Sequence, residues 1–260
     1  MSDPVSSTIL LLDIEKYSER DDVEQAYLRR MLFDLADRVL LAAGIDETRR
    51  RRADRGDCVM ELIDANASVT ALLRTLLTEA PAQLRTLNRT ASSSAQMRLR
   101  GVVATGYVAL DGHDGWVGSD LNHACRLLDA ELLRGALRER AQDFALCVSE
   151  PVYQGIVRHS PTGVPAEEFH AITVGSKNGP LPAWLHGPVP RVPVPDAPRQ
   201  APDRAAPEPR TPAAPPAGPG QAFDFGGATV NGGVFGGMNH GIGGGTFHGD
   251  IHLGGGSRER

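Results

Sequence analysis

The feature that most constrains the fold is a run of four apolar residues, Ile9 to Leu12, that ends at Asp13 and a short polar loop. Four residues are too few for a core helix, so the run predicts a buried β-strand with one carboxylate at its C-terminal end. A second carboxylate, Asp57, is expected nearby, because Asp54-Arg-Gly-Asp57 has the composition of a turn and the apolar residues after it suit the returning strand of a hairpin. Two carboxylates on adjacent strand ends predict a site for hard divalent cations.

The composition predicts one globular domain followed by a tail. Of the 260 residues, 41% are hydrophobic, and they are concentrated before about residue 187, so we expect a domain at residues 1–187. The net charge of −5 offers no basic face, and the run Arg49 to Arg52 is interpreted as a solvated strand entry, so we expect no nucleic-acid binding. The three cysteines form no CxxC pair and suit a reducing cytoplasm. We find neither a transmembrane run nor a signal peptide and expect no membrane association.

Hydrophobic periodicity predicts that strands alternate with helices along the domain. The predicted helices lie at residues 22–43, 67–87, 120–140 and 150–158. The predicted strands are a hairpin at 47–63 and single strands at 97–110, 144–148, 168–174 and 181–185. Pro81 is expected to break the second helix. This pattern predicts an α+β fold, with one sheet and helices packed on it.

The predicted helix at 120–140 contains a second group of polar residues. Asn122 and Arg126 are four residues apart in Asn122-His-Ala-Cys-Arg126, so they share one helical face. A guanidinium there suits a phosphoryl group, and an amide can both donate to and accept from a sugar ring. The alternative is that Asn122 is a solvated or capping residue and Arg126 makes a surface ion pair.

Four segments together resemble the ordered motifs of class III nucleotidyl cyclases. They are LLLDIEKYS, RGDCVMEL, RLRGVVATGYV and VGSDLNHACRL, and they extend over most of residues 8–186. The resemblance implies a ferredoxin-like βααβαβ core that acts as a head-to-tail homodimer with its active sites at the interface. It also implies that Asp13 and Asp57 hold two magnesium or manganese ions, with the carbonyl of Ile14 as a further ligand.

The same resemblance gives roles to residues that would contact the nucleotide. From the partner chain, Asn122 would orient the ribose and Arg126 would meet the α-phosphate. Lys177 falls where the family often places a lysine that binds the triphosphate. Of the 27 lysine and arginine side chains only Lys16 and Lys177 are lysine, and both fall in expected phosphate-binding segments, where a compact ammonium is a suitable point charge. Lys16 departs from the small residue common in that loop.

The implied reaction converts a nucleoside triphosphate to a 3′,5′-cyclic nucleotide and pyrophosphate by two-metal catalysis. The base-reading positions of the family correspond to Ala53 and Gly115, which cannot hydrogen-bond a base through their side chains. Arg55 could substitute for the first of them, and Asp114 or Trp116 for the second. ATP is the default substrate, GTP is next, and a pyrimidine triphosphate stays open.

The composition changes twice after residue 187. Residues 188–220 are rich in Pro and Ala and predict a disordered linker. Residues 221–260 are rich in Gly, yet they contain four of the seven Phe and a half-repeated His-Gly pattern. This segment resembles the C-terminal amyloid-signalling motifs of bacterial proteins, which implies cross-β assembly through the tail. The alternative is a disordered tail, and a metal site at His240, His248 and His252 is disfavoured because the glycines oppose a helix.

Three functions therefore remain open. The first is an active cyclase of bacterial signalling or defence with an assembly tail. The second is a degenerate cyclase-fold module that binds a nucleotide without turnover. The third is an adaptor whose main function is polymerisation through the tail.

Overall fold

The computed structural model describes residues 2–111, 115–176 and 179–191. The chain divides into two units, residues 1–197 and 198–260, and the whole of the second unit lies outside the described residues. The assembly-tail hypothesis and nearly all of the predicted linker therefore fall outside them. Lys177 and Asp114 lie outside them as well.

Within the described residues, eight strands form one sheet. They are β1 (Val5–Ile14), β2 (Arg50–Asp54), β3 (Cys58–Asp64), β4 (Leu99–Leu110), β5 (Trp116–Val117), β6 (Phe144–Ser149), β7 (Phe169–Val174) and β8 (Leu181–His186). Their order is β2-β3-β1-β4-β6-β8-β7, and β5 pairs with β4. The pair of β4 and β6 is parallel, whereas the other neighbours are antiparallel.

The helices begin at identifiable caps. They are α1 (Asp22–Ala42), α2 (Val69–Thr90), α3 (Ser119–Leu128), α4 (Glu131–Glu139) and α5 (Glu150–Gly155). The side chain of Asp21 accepts a hydrogen bond from the backbone N–H of Glu24 at the start of α1, and Ser68 caps α2 in the same way. Gly44 follows α1 with a φ of 73°, a conformation that glycine adopts at little cost.

The central strand β1 is buried on both faces. Leu10, Leu12 and Ile14 belong to a core cluster with residues of α1 and α2, whereas Ile9 and Leu11 belong to a second cluster with residues of α3 and α4. Successive side chains of a strand point to opposite faces. Asp13 has the same parity as Ile9 and Leu11, so it lies on the α3 face of the sheet.

The architecture confirms the predicted α+β fold of one sheet with packed helices. The first four strands lie in the antiparallel order β2-β3-β1-β4, which is the ferredoxin-like arrangement. Apart from short 3₁₀ turns, the elements from β1 to β4 follow the order β-α-β-β-α-β, with one long helix, α1, before the β2–β3 hairpin.

Two details of the predicted helices are corrected. Pro81 lies inside α2, which continues because Ala80 and Leu84 on either side of it are buried in the core and tertiary packing outweighs local propensity. The predicted helix at 120–140 is two helices, since α3 ends at Leu128 and α4 begins at Glu131.

The arginine run is a solvated strand entry only in part, because Arg51 is exposed whereas Arg50 and Arg52 are not. The side chain of Arg50 is only 8% exposed and pairs with Glu61 and Asp37 at 2.7 and 2.6 Å. Arg52 contacts the same two carboxylates, and its guanidinium lies 4.9 Å from the ring centroid of Phe33. Asp37 and Phe33 belong to α1. This ionic cluster therefore attaches the β2–β3 hairpin, whose turn contains Asp57, to α1.

Removal of the carboxylate of Glu61 is expected to destabilise the domain strongly. Glu61 is fully buried, so Glu61→Ala leaves Arg50 and Arg52 without their shared partner. Breaking a buried pair in this way costs about 3–5 kcal/mol. Urea unfolding followed by circular dichroism measures the loss, and the exposed Glu47→Ala is the control, expected to stay within about 0.5 kcal/mol of wild type. Equal stability of the two variants would show that the cluster does not hold the hairpin.

Candidate active site

Asp13 lies one residue before the end of β1 and is 7% exposed. Its cross-strand partners are Cys58 on β3 and Arg100 on β4. The carboxylate of Asp13 forms an ion pair with the guanidinium of Arg100. The position at a buried strand end is the one that the sequence predicts.

Asp57 lies beside Asp13, in the turn between β2 and β3. Gly56 adopts a φ of 84° there and donates its N–H to the side chain of Asp54 at 2.8 Å, which closes the turn. The backbone N–H of Ile14 donates to the carbonyl of Asp57 at 3.0 Å. This hydrogen bond holds the backbones of the two candidate metal-binding segments against each other.

The pKa of Asp13 reflects this crowding. Burial raises it from 3.8 to about 6, the positive charge of Arg100 opposes the rise, and the neighbouring negative charge of Asp57 adds to it. Burial and like charge both disfavour the ionised carboxylate. A bound cation would relieve both effects, so the electrostatics of the pair suit a metal site.

The donor set fits magnesium or manganese better than a softer metal. Across the described residues, no three His, Cys, Asp or Glu side chains are arranged to hold a metal ion. Asp13, Asp57 and the carbonyl of Ile14 would supply oxygen ligands. Magnesium keeps several waters and needs only one or two protein carboxylates. Two carboxylates at adjoining strand ends meet that requirement.

Lys16 follows this site in a left-handed conformation, with φ 57° and ψ 32°. Its side chain is 62% exposed and lies 3.9 Å from the carboxylate of Glu19. Exposed ion pairs of this kind contribute at most about 1 kcal/mol. A phosphate group could therefore replace Glu19 as the partner of Lys16.

Helix α3 carries the second group of predicted site residues, and it packs closely on β4. The side chain of Asp120 accepts a hydrogen bond from the backbone N–H of Tyr107 at 2.9 Å. A Cβ at Gly106 would lie only 2.2 Å from the side chain of Asp120. Glycine at position 106 is thus required for the approach of α3 to the sheet.

This packing leaves Asn122 exposed and Arg126 half-buried on one face of α3. The Nη1 atom of Arg126 is buried and has no hydrogen-bond partner among the described residues. A buried donor without a partner is costly. Arg126 therefore has hydrogen-bonding capacity available for a ligand.

Arg126 lines a groove of about 510 Å³ with Asp129, the start of α4 and residues 173–176. Ser176 of this groove is the sequence neighbour of Lys177. The groove thus places the segment that leads to the predicted triphosphate lysine next to the predicted phosphate-binding arginine.

Within one chain the predicted residues form two groups. Asp13 and Asp57 adjoin each other at the strand ends, and Asn122 and Arg126 share the outer face of α3. In the part of the chain that the structure describes, no hydrogen bond or ion pair joins either carboxylate to Asn122 or Arg126.

Arg100 is a site residue that the sequence interpretation missed. Its side chain is 11% exposed, and besides its ion pair with Asp13 it donates through Nη1 to the carbonyl of Leu128 at 3.4 Å. The available signal was an arginine within an otherwise apolar strand. The signal was insufficient because only the register of β1 and β4 places Arg100 opposite Asp13.

The two positions expected to read the base have no side chain that can form a hydrogen bond, as the sequence predicts. Ala53 is half-buried and pairs with Met60 across the β2–β3 hairpin. Gly115 donates its backbone N–H to the side chain of Asp111 at 2.7 Å. Trp116 follows as the first residue of β5 and packs against the second core cluster.

Asp13 is expected to reduce the stability of the metal-free protein at neutral pH. Its folded pKa exceeds its unfolded value, so the folded state keeps the proton longer and stability falls as pH rises from about 4 to about 6. Asp13→Asn removes that fall, so its free energy of unfolding relative to wild type should be about 1–3 kcal/mol more favourable at pH 7 than at pH 3.5, whatever the loss of the pair with Arg100 costs. Urea unfolding in EDTA at pH 3.5 and pH 7 measures it, with exposed Asp3→Asn as control. The same change relative to wild type at both pH values would contradict this account.

Three solved structures with a similar fold are nucleotidyl cyclases. A bacterial light-regulated adenylyl cyclase superposes with a TM-score of 0.51 at 17% identity, over 73% of this chain and 94% of that chain. An adenylate/guanylate cyclase/hydrolase from Silicibacter pomeroyi has a TM-score of 0.50 at 21% identity, over 72% and 99% of the two chains. The guanylyl cyclase Cya2 has a TM-score of 0.50 at 17% identity, over 73% and 95%.

These likenesses establish the fold of the domain. No family model matches the chain, and a comparison with curated proteins gave no match. Among the described residues, no helix has the length and apolar character needed to cross a membrane.

Proposed function

We propose that this protein is a nucleotidyl cyclase that converts a nucleoside triphosphate to a 3′,5′-cyclic nucleotide and pyrophosphate. The observation that carries the proposal is the placement of Asp13 and Asp57 at adjoining strand ends, on a fold shared with solved cyclases. The buried, unpartnered Nη1 of Arg126 supports it, because that atom is suited to an anionic ligand.

In the proposed site, Asp13, Asp57 and the carbonyl of Ile14 would hold two magnesium or manganese ions. When bound, such ions lower the pKa of the attacking ribose 3′-hydroxyl and neutralise the charge of the triphosphate. Asp13 and Asp57 would fix the positions of these charges relative to the sheet. The buried Asp13 is restrained by its place in β1. Asp57 is restrained by the hydrogen bond that its backbone carbonyl accepts from the N–H of Ile14.

The residues of α3 would act on the nucleotide itself. Asn122 binds a ribose hydroxyl through its amide, and Arg126 donates to the α-phosphate oxygens, on which negative charge grows as pyrophosphate leaves. Lys16 and Lys177 bind the β- and γ-phosphates, which leave as pyrophosphate. We propose that Asn122 and Arg126 act on the metal-bound nucleotide of a partner chain, in a head-to-tail homodimer with two equivalent sites.

The proposal is tested by incubating the full-length protein with ATP, GTP, CTP and UTP in Mn²⁺ and identifying products by mass spectrometry. The expected result is a 3′,5′-cyclic nucleotide from at least one triphosphate, lost on chelation with EDTA. Linear mono- or diphosphates alone, or no product, would contradict cyclase activity.

Binding without turnover is a second candidate function, and the ion pair of Arg100 with Asp13 favours it. An arginine bound to a metal-binding carboxylate competes with the cation for the same oxygens. The same assay, run on the wild type and on Arg100→Ala, distinguishes the two candidate functions. Cyclic product from the wild type excludes the second candidate, whereas nucleotide binding with no product from either protein supports it.

For the tail, we propose cross-β assembly of residues 221–260. A peptide of residues 228–254 is expected to form thioflavin-positive fibrils, because Gly permits close stacking and Ile242, Phe247 and Ile251 supply an apolar strip. Ile251→Pro should prevent fibrils by removing a backbone donor, whereas Ala228→Pro, at the peptide end, should not. A peptide that stays monomeric at millimolar concentration would contradict the proposal.

A further inference from the structure

The segment that would supply the metal-binding carbonyl of Ile14 leaves β1 through an unfavourable backbone conformation. Strand β1 ends at Ile14, and two residues later Lys16 has a φ of 57° and a ψ of 32°. This left-handed region costs a residue with a Cβ about 1–2 kcal/mol, and it persists only where the surrounding structure restrains it. Glu15 lies between these two residues, so contacts of Glu15 can restrain both of them.

Glu15 is bound to Arg98 through both its backbone and its side chain. The backbone N–H of Glu15 donates to the carbonyl of Arg98 at 2.9 Å, which extends the pairing of β1 with β4 by one residue. The carboxylate of Glu15 accepts from Nη1 of Arg98 at 3.3 Å, and the two side chains are only 16% and 28% exposed. Residues two apart on a strand share a face, so this pair lies beside the ion pair of Asp13 with Arg100.

Arg98 is itself held by parts of the chain that are distant from β1 in the sequence. Its Nε atom lies 3.4 Å from the carboxylate of Asp143, which in turn accepts from the amide of Asn88, near the end of α2, at 2.8 Å. Its Nη2 atom donates to three carbonyls at the end of α4 and just after it, those of Leu137, Arg140 and Gln142. The planar guanidinium thus joins the segment after β1 to the ends of α2 and α4, contacts that a single ammonium could not make together.

The contacts of Glu15 set the direction of the carbonyl of Ile14. That carbonyl and the N–H of Glu15 belong to the same planar peptide group, so the bond from Glu15 to the backbone of Arg98 orients both. The side-chain bond from Arg98 to Glu15 is a second link at the same point, and it opposes rotation of this peptide group. On the other side of Ile14, its N–H is bound to the carbonyl of Asp57. The proposed carbonyl ligand is therefore held from both sides.

We infer that Arg98 is a positioning residue for the metal site, which acts through Glu15 to fix the carbonyl of Ile14 and the turn at Lys16. This inference rests on the proposed cyclase function. Groups that orient a metal ligand through a hydrogen bond typically contribute about tenfold to hundredfold to metal affinity. The sign of the effect separates this role from electrostatics, because removal of the positive charge of Arg98 would by charge alone strengthen the binding of a cation.

The test titrates the full-length protein with Mn²⁺ and measures free Mn²⁺ by electron paramagnetic resonance. Arg98→Met is expected to weaken binding about tenfold. Glu15→Ala should weaken it as well, whereas Glu15→Gln, which can still accept from Arg98, should keep most of the wild-type affinity. The double variant Glu15→Ala/Arg98→Met should bind no more weakly than the weaker single variant, because both changes remove the same link. Arg89→Met, at an exposed arginine of α2, is the control and should not weaken binding.

The number of Mn²⁺ sites per chain separates loss of folding from loss of affinity, since unfolded chains lower that number without weakening the sites that remain. If Arg98→Met does not fold, Glu15→Ala compared with Glu15→Gln gives the same test. Unchanged or tighter binding by Arg98→Met, or additive losses in the double variant, would overturn the inference and leave the metal site intact. A wild-type protein that binds no Mn²⁺ would contradict the cyclase proposal and the inference together.

Turnover provides a second readout of the same role. The kcat of Arg98→Met at saturating Mn²⁺ should approach that of wild type, and the Mn²⁺ concentration needed for half of it should rise about tenfold. A lower kcat with an unchanged Mn²⁺ requirement would overturn the inference.

Discussion

Replacement of Asp57 by alanine is expected to lower metal-dependent turnover by about a hundredfold or more, the scale of losing one electrostatic group at a reacting centre. Asp57 provides one of two carboxylates at the proposed metal site, and Asp13 cannot replace it because its own carboxylate is buried and paired with Arg100. The fold should survive. Asp57 is only half-buried, and the bond from the N–H of Ile14 is to its backbone carbonyl, which alanine retains.

The measurement is cyclic-nucleotide formation at saturating Mn²⁺, together with thermal unfolding of each variant. Asp64→Ala is the matched control, because Asp64 is an exposed carboxylate at the other end of β3, and it should keep wild-type turnover. Activity of Asp57→Ala above a tenth of wild type would remove Asp57 from the site. A collapse of its melting transition would show instead that the turn is structural.

Mixing two inactive variants is expected to restore activity. Asp13→Ala damages the metal side of a site and Arg126→Ala damages its phosphate side, so each homodimer lacks any intact site. In a head-to-tail heterodimer both lesions fall in one site and leave the other whole. If the chains pair at random, half of the dimers are heterodimers with one of two sites intact, and turnover should reach about a quarter of wild type.

A control pair distinguishes this geometry from general stabilisation by mixing. Asp13→Ala and Asp57→Ala both damage the metal side, so each site of their heterodimer carries one lesion. Co-expression with two affinity tags isolates both heterodimers. Recovery by the first pair alone supports a composite site, whereas equal behaviour of the two pairs contradicts it.

The elements and the position of Asp13 could be predicted because they follow from short-range patterns. Four apolar residues before Asp13 define a buried strand, and the turn composition at Asp54 to Asp57 defines the hairpin. The helical spacing of Asn122 and Arg126 placed them on one face of α3. These features depend on residues that are near each other in the sequence.

The errors arose where distant residues decide the outcome. The arginine run was interpreted as solvated, yet Arg50 and Arg52 find the buried Glu61 across the hairpin and Asp37 on α1. Arg100 was missed because its contact with Asp13 depends on the register of β4. Sequence periodicity indicates which face a side chain occupies, but it does not identify the partner that it meets there.

The most direct test of the cyclase proposal measures both products of the reaction in one sample. With the preferred triphosphate and Mn²⁺, the wild-type protein should release one pyrophosphate for each 3′,5′-cyclic nucleotide formed, as cyclisation at the α-phosphate requires. The Arg126→Ala protein should release neither above background. Pyrophosphate accompanied by a linear monophosphate, or release of inorganic phosphate without cyclic product, would show that the site hydrolyses nucleotides and would contradict the account.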